Sequence, residues 1–224
     1  MLVKDIEGLK YPDDFVTRFF FKEKLFEFTG NVLELGCGNG NNLSLFYQYG
    51  WNTIGVDLNI NFINQGEINF QNISREYSMQ NKYIFHRNDM LDYVKQNSGN
   101  YDALVFNGSL YYLSYTEIID LLNQIRIKRL LHSDSFIYFR VRLLNDYRFG
   151  KGKKVANNTF LLTNNETGEE NCIITFFSEN EFIELISDFF KFSFLKTMHC
   201  MLENYQKEKL ISLNSDFIVW GKLL

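Results

Sequence analysis

The sequence predicts an α/β fold, a single domain over residues 1–224 with a mostly parallel seven-stranded sheet, helices on both faces and an antiparallel C-terminal hairpin. Three observations lead there. From residue 31 onward, short apolar runs alternate with longer amphipathic stretches, at the intervals of about 20 to 30 residues that a strand, crossover helix, strand unit needs. A glycine-rich turn follows the first apolar run directly. Two capping-box signatures announce helix starts further along.

The first element is a helix. Residues 14–28, DFVTRFFFKEKLFEF, place Phe15, Val16, Phe19, Phe20, Leu25 and Phe26 at helical spacing, with Asp14 positioned to cap the start and Gly30 the end. Strands are predicted over Val32–Leu35, Thr53–Val56, Tyr83–Phe85, Ala103–Phe106 and Phe136–Val141. Ser114 with Glu117 opens a helix through the Ile118–Leu131 periodicity, and Ser178 with Glu181 opens another through Phe182–Phe190. The chain closes with strands at Phe192–Met201 and Asp216–Gly221, separated by the polar stretch Glu203–Lys209, which pair as the hairpin.

Composition narrows the function classes. The chain has 224 residues, 46% hydrophobic and 22% charged, with one proline, so it buries enough surface to hold a core without staples. Cysteines stand at 37, 172 and 200 with no CxxC, which gives neither a disulfide framework nor a metal cluster and suits a reducing, cytoplasmic setting. No signal-like N-terminus and no apolar stretch of membrane-spanning length is present. A net charge of -4 argues against long nucleic acid as a partner. His86, His132 and His199 are scattered and read as structural.

Residues 32–40 read Val-Leu-Glu-Leu-Gly-Cys-Gly-Asn-Gly, a strand running into a glycine turn and then a helix-compatible stretch. Gly36, Gly38 and Gly40 remove side chains where backbone must turn against a ligand. The dinucleotide pattern G-x-G-x-x-G fails because residue 41 is Asn. The second strand ends in Gly55-Val56-Asp57, which sets a carboxylate where it can accept both hydroxyls of a ribose. Asn88-Asp89-Met90 follows the third strand and Asn107-Gly108-Ser109 the fourth, so small, polar and acidic residues gather at one sheet edge. Asp57 and Asp89 also suit plain strand-end turns, and Cys37 suits a small filler or a reactive thiol.

These motifs resemble the class I S-adenosylmethionine-dependent methyltransferases. Glu34-x-Gly-x-Gly-x-Gly40, Gly55-Val-Asp57, Asn88-Asp89-Met90 and Tyr101–Asn107 carry the resemblance. Residues 11–19, with Asp146–Gly152, Asn158–Phe160 and Phe176–Glu179, extend it toward a bacterial small-molecule subgroup. It implies a Rossmann-like domain, S-adenosylmethionine as cofactor and S-adenosylhomocysteine as product. Glu34 and the backbone of Gly36, Cys37, Gly38, Asn39 and Gly40 would lie against the methionine part, with Arg18 on its carboxylate, and Tyr11 and Asn107 would also bind the cofactor. Asp57 and Leu58 would take the ribose, and Asn88, Asp89 and Met90 the adenine. The Asn/Asp-Pro-Pro-aromatic signature of base methylation is absent, since residues 107–110 are Asn-Gly-Ser-Leu.

The stretch from Arg140 to Lys154 holds six cations against one acid, Asp146, a local balance of 6 - 1 = +5. It reads either as a solvated basic loop or as part of a substrate-recognition segment, residues 142–175, whose Arg148 and Lys151, with Arg140 just before it, bind an anionic small-molecule acceptor. Residues 1–30 would form a helical lid. For a hydroxyl acceptor the candidate bases are Tyr111, Asp146 and Tyr147. The expected reaction is methyl transfer to oxygen or nitrogen of a small acceptor such as a glycan or nucleotide-sugar precursor. A nicotinamide-dependent oxidoreductase and a non-catalytic S-adenosylmethionine-binding module are the alternatives.

Overall fold

The computed structural model describes residues 11–163, 171–206 and 209–224. Residues 1–10 of the expected lid, 164–170 of the expected substrate-recognition segment, and 207–208 lie outside the described residues. Five strands, β1 (Asn31–Leu35), β2 (Asn52–Asp57), β3 (Tyr83–Arg87), β4 (Tyr101–Asn107) and β5 (Leu131–Arg142), run parallel. Three short strands follow, β6 (Lys153–Ala156), β7 (Thr159–Leu161) and β8 (Ile173–Thr175), and then the hairpin β9 (Phe192–Gln206) and β10 (Lys209–Leu223). The large sheet has the order β3-β2-β1-β4-β5-β10-β9, with β10 antiparallel to both its neighbours. This is the α/β fold the strand runs predict.

Side chains alternate across a strand, so each strand feeds two cores. Leu33, Leu104, Phe106, Ile137, Phe139 and Val219 pack on helices α4 (Met90–Gln96), α5 (Tyr115–Ile127) and α6 (Glu179–Phe189). Val32, Ala103, Val105, Tyr138 and Trp220 pack on α1 (Asp14–Lys22), α2 (Asn41–Gln48) and α3 (Ile60–Tyr77). Both predicted capping boxes form, at Ser114 with Glu117 and at Ser178 with Glu181.

Helix α1 departs from the sequence reading in its cap. Asp13, not Asp14, accepts from the backbone N–H groups of Phe15 and Val16, and Lys24 at φ 54° breaks the helix well before Gly30. Its Phe19 ring lies among Phe136, Tyr138 and Trp220, and Phe20 meets Phe46 edge-on at 5.0 Å. Each such fully buried side chain stabilises the docked helix by about 1.5–3 kcal/mol. At the far end, Glu23 accepts from Trp220 Nε1 at 2.7 Å and Lys196 Nζ at 2.6 Å. The helix is thus part of the core.

The three-stranded antiparallel sheet β6-β7-β8 was not predicted. Its strands are too short and too exposed at Lys153–Ala156 to show a period. Contacts distant in sequence hold it: Thr175 Oγ1 donates to the Leu113 carbonyl, and Phe160, Leu162, Ile174 and Phe176 pack with Tyr111. The hairpin is also longer than predicted, because β9 and β10 keep pairing through polar residues beyond the end of β5.

Candidate cofactor site

Strand β1 lies between β2 and β4, so the chain leaves it in opposite directions and opens a crevice outside its carboxyl end. The glycine loop fills that point. The N–H groups of Gly36 and Cys37 both donate to the Val56 carbonyl, and that of Gly38 donates to Asp57 Oδ2 at 2.9 Å. Gly36, at φ +79°, leaves no room: a Cβ there would stand 2.2 Å from the Ser109 Cβ. Gly38, at φ +54°, faces open space, with nothing within 4 Å of its would-be Cβ. One glycine lets β1 and β4 converge, and the other keeps a wall of the crevice bare.

Two cavities meet at Gly36. One, of about 350 Å³, is lined by Val56, Asp57, Leu58, Asn88, Asp89, Met90, Gly108, Ser109, Tyr112, Leu113 and Cys172. The other, of about 330 Å³, is lined by Tyr11, Asp13, Glu34, Cys37, Gly38, Asn39, Asn41, Asn42 and Asn107. The first is bordered by apolar side chains suited to a planar ring, the second almost wholly by polar ones. Together they track the carboxyl ends of β1, β2, β3 and β4.

Glu34 dominates the polar cavity. It is 1% exposed, and burial pushes its carboxyl from 4.5 to about 8, against the opposing hydrogen bond from Asn42, with Asp13 and Asp57 adding to the rise. Oε1 accepts from Asn42 Nδ2 at 2.7 Å, whereas Oε2 is buried with no partner among the described residues. A buried carboxyl that keeps its proton because it is desolvated beside Asp13 and Asp57 ionises when a cationic donor reaches it, and Oε2 is the oxygen left to meet one. Asp57 spends Oδ2 on the loop and Oδ1 on the N–H of Asn59 at 2.8 Å, and so shapes the wall it belongs to. Asp89 is also a helix cap, its Oδ1 accepting from Leu91 and Asp92. Burial pushes the Cys37 thiol up, which favours the filler over the reactive thiol.

All the sequence-predicted cofactor residues line these cavities except Gly40 and Arg18. A Cβ on Gly40 would meet the rings of Phe85 and Phe70 instead, so this glycine serves packing. Arg18 is corrected outright: Val16, Phe19 and Phe20 fix the buried face of α1, and Arg18 points to solvent, 3.8 Å from Asp14.

The basic segment needs the larger correction. Asp146, a candidate base, has a side chain with 0% exposure that accepts from Arg148 Nη1 at 3.0 Å and from the N–H groups of Arg148 and Ser215. Arg148, a candidate acceptor ligand, is spent on Asp146 and Asn214. Arg140 donates twice to Asp216 Oδ2 and once to Asp13 Oδ2, and Arg142 bridges Asp216 and Asp146. Three arginines thus face three aspartates, two of which lie outside the segment and escaped its charge count. Tyr111 is buried under the Arg142 guanidinium, and Tyr147 carries Arg148 and Lys151 over its ring. Neither tyrosine, nor Lys151, is among the residues lining the two cavities.

Gly108 and Ser109 line the crevice, as their place at the end of the fourth strand run suggests, and Asp13, Asn41, Asn42, Tyr112, Leu113 and Cys172 line it without a signal read from the sequence. Asn41 and Asn42 follow the glycine loop directly and were within reach of the sequence. Cys172 sits beside β8, and only the unpredicted small sheet brings it there.

A family model described as a methyltransferase domain matches residues 6–189. No curated protein matches the sequence. Among solved structures, a SAM-dependent methyltransferase of Methanosarcina mazei superposes with a TM-score of 0.64 at 19% identity, covering 88% of this chain and 93% of its own. The PH0226 protein of Pyrococcus horikoshii gives 0.62 at 14% identity with 100% of both chains covered. A 1,6-didemethyltoxoflavin-N1-methyltransferase of Burkholderia thailandensis, solved with S-adenosylhomocysteine, gives 0.61 at 14%, covering 99% of this chain and 80% of its own. These likenesses carry the fold, and the family match, which takes in the glycine loop and every strand end around the crevice, carries the activity. The chain belongs to the methyltransferase domain family and is a class I enzyme that takes S-adenosylmethionine as its methyl donor.

Proposed function

We propose that the two cavities together hold one S-adenosylmethionine and that its methyl passes to oxygen or nitrogen of a small, anionic acceptor. The observation that carries the cofactor placement is the buried, unpartnered Oε2 of Glu34 in the polar cavity. An amino-acid ammonium there would meet an acceptor that has no other donor among the described residues. Asp57, at the junction, suits the ribose, and the cavity walled by Asn88, Asp89, Met90, Tyr112 and Leu113 suits the adenine.

S-adenosylmethionine supplies a methyl on a sulfonium that is a good leaving group. What remains for the protein is to hold the acceptor close and in line. Asp146 is fully engaged in ion pairs and is withdrawn as a base, Tyr147 is not among the cavity-lining residues, and Tyr111, although packed against the lining residues Gly108 and Tyr112, is buried under the Arg142 guanidinium. This arrangement suits an acceptor whose nucleophile needs no deprotonation by the enzyme, an amine or an already ionised oxygen. With the arginines neutralised, the anionic character of the acceptor rests on Lys151, Lys153 and Lys154, the last two exposed on β6 beside the small sheet's free edge. Among glycan and nucleotide-sugar precursors, those that carry both a phosphate or carboxylate and an amine fit this arrangement.

Calorimetry with S-adenosylhomocysteine, followed by labelled methyl transfer across matched neutral and phosphorylated or carboxylated acceptors, tests both parts. Saturable binding and turnover confined to the anionic members are expected. Absence of binding would remove the cofactor placement, and turnover of neutral members alone would remove the anionic acceptor.

A further inference from the structure

The N-terminal end of α1 and the glycine loop are joined by a short chain of directional hydrogen bonds. Asp216, 2% exposed, holds Arg140 through Nε and Nη2, and Arg140 Nη1 reaches Asp13 Oδ2 at 2.6 Å. The backbone N–H of Asp13 then donates to Asn42 Oδ1 at 2.8 Å, and Asn42 Nδ2 donates to Glu34 Oε1 at 2.7 Å. The polarity of this chain is fixed. A backbone N–H can only donate, so the Asn42 oxygen must face Asp13, which leaves the amide nitrogen for Glu34. Asn42 is 7% exposed and Glu34 1%, so neither bond is readily replaced by water.

Were Asp13 withdrawn, only the bond to Glu34 would orient Asn42, and a carboxyl that keeps its proton can donate to a reversed amide as well as accept from this one. The Asp13 N–H is what selects the sense that offers Glu34 a donor. The ion pair with Arg140 and the cap on α1 both act on the carboxylate of Asp13, so docking of the helix and the position of the Asp13 N–H are one event.

We propose that Asn42 is a positioning residue for the methionine end of the cofactor, set by Asp13 only when α1 is docked, so that helix docking and cofactor binding strengthen one another. It acts through Glu34 and orients its carboxylate so that Oε2 is presented to the cavity. Because coupling is reciprocal, the cofactor must tighten the helix as much as the helix tightens the cofactor. The proposal rests on the placement of the methionine end given above.

The test uses the full chain and two probes, S-adenosylhomocysteine and 5′-methylthioadenosine, which lacks the amino-acid end. Asn42→Asp keeps an acceptor for the Asp13 N–H but replaces the donor to Glu34 with a second carboxylate, and Asn42→Ala removes both bonds. Both variants are expected to weaken S-adenosylhomocysteine by about ten- to a hundredfold, as loss of a hydrogen bond to a charged group does. 5′-Methylthioadenosine should change less than about twofold in either variant. Hydrogen exchange supplies a second readout: S-adenosylhomocysteine should slow exchange in α1 of the wild type and not in Asn42→Ala. Equal losses for both probes, or unchanged S-adenosylhomocysteine affinity with retained protection of α1, would overturn the proposal. Failure of the wild type to bind S-adenosylhomocysteine at all would instead overturn the cofactor placement on which it stands.

Discussion

The glycine-loop crevice and the basic segment after β5 both concentrate charge, and they differ in whether that charge is satisfied. In the crevice, Glu34 keeps a buried oxygen without a donor among the described residues, close to Asp13 and Asp57. In the basic segment, Arg140, Arg142 and Arg148 are matched by Asp13, Asp216 and Asp146, all within salt-bridge distance. A surplus counted along the chain measures neither case. A carboxyl that folding has desolvated among other acids is open to a cationic ligand, whereas a cation that folding has set against a carboxylate is a structural part.

The largest effect that would break this contrast lies in the ion-pair network. Asp146→Ala leaves Arg148 and Arg142 buried beside an empty position, and should cost about 3–5 kcal/mol of stability. Urea denaturation measures it; a loss under about 1 kcal/mol would return the segment to the solvated loop that the charge run also allowed.

Next in size is the pH response of Glu34. Its carboxyl stands at about 8 in the fold against 4.5 unperturbed, raised by burial and by Asp13 and Asp57 despite the Asn42 bond. The other titratable groups facing it are Cys37 and Tyr138. Between these values the native state holds a proton that the unfolded chain has released. The stabilisation is therefore complete below 4.5 and lost as pH rises through about 8. Glu34→Gln should flatten the stability profile by a few kcal/mol, since each tenfold difference in proton affinity between the folded and unfolded chain is worth about 1.4 kcal/mol. Denaturation at about pH 5 and about pH 9 reads the difference, and parallel profiles for the two proteins would show that Glu34 is not the group involved.

Gly38→Val sharpens the crevice side. The backbone there is left-handed and the space open, so the side chain both strains the loop and fills the wall. S-adenosylhomocysteine affinity should fall about a hundredfold, from a strain of about 1–3 kcal/mol and the lost volume. Binding within about threefold of wild type would mean that the loop does not face the ligand. The smallest effect belongs to Lys153→Ala with Lys154→Ala. Both residues are exposed, so stability should change by less than about 0.5 kcal/mol. A change in KM for an anionic acceptor, with S-adenosylhomocysteine binding unaltered, would place that acceptor against the small sheet.

Much of the fold was legible because local rules and global packing agree. Apolar runs of strand length, the Ser114 and Ser178 boxes and the Gly36–Gly40 turn each specify a conformation from residues a few positions apart. Most of the crevice followed, since a parallel sheet delivers the ends of its strands to one edge. Arg18 shows where that stops: residue type suggested a ligand, while the phase of Val16, Phe19 and Phe20 turned it to solvent.

By itself the sequence determined the strand runs of the large sheet, the bare glycine turn and the row of acids and amides beside it, because these depend on backbone geometry and on period. Only the tertiary structure decided which charges are available. Asp13 and Asp216 lie 127 and 76 residues from Arg140, and each comes to within 2.6 Å of it. Coulomb attraction falls off with distance in space and takes no account of distance along the chain. The partners of a charge, and hence whether it builds the protein or meets a substrate, are therefore settled by folding.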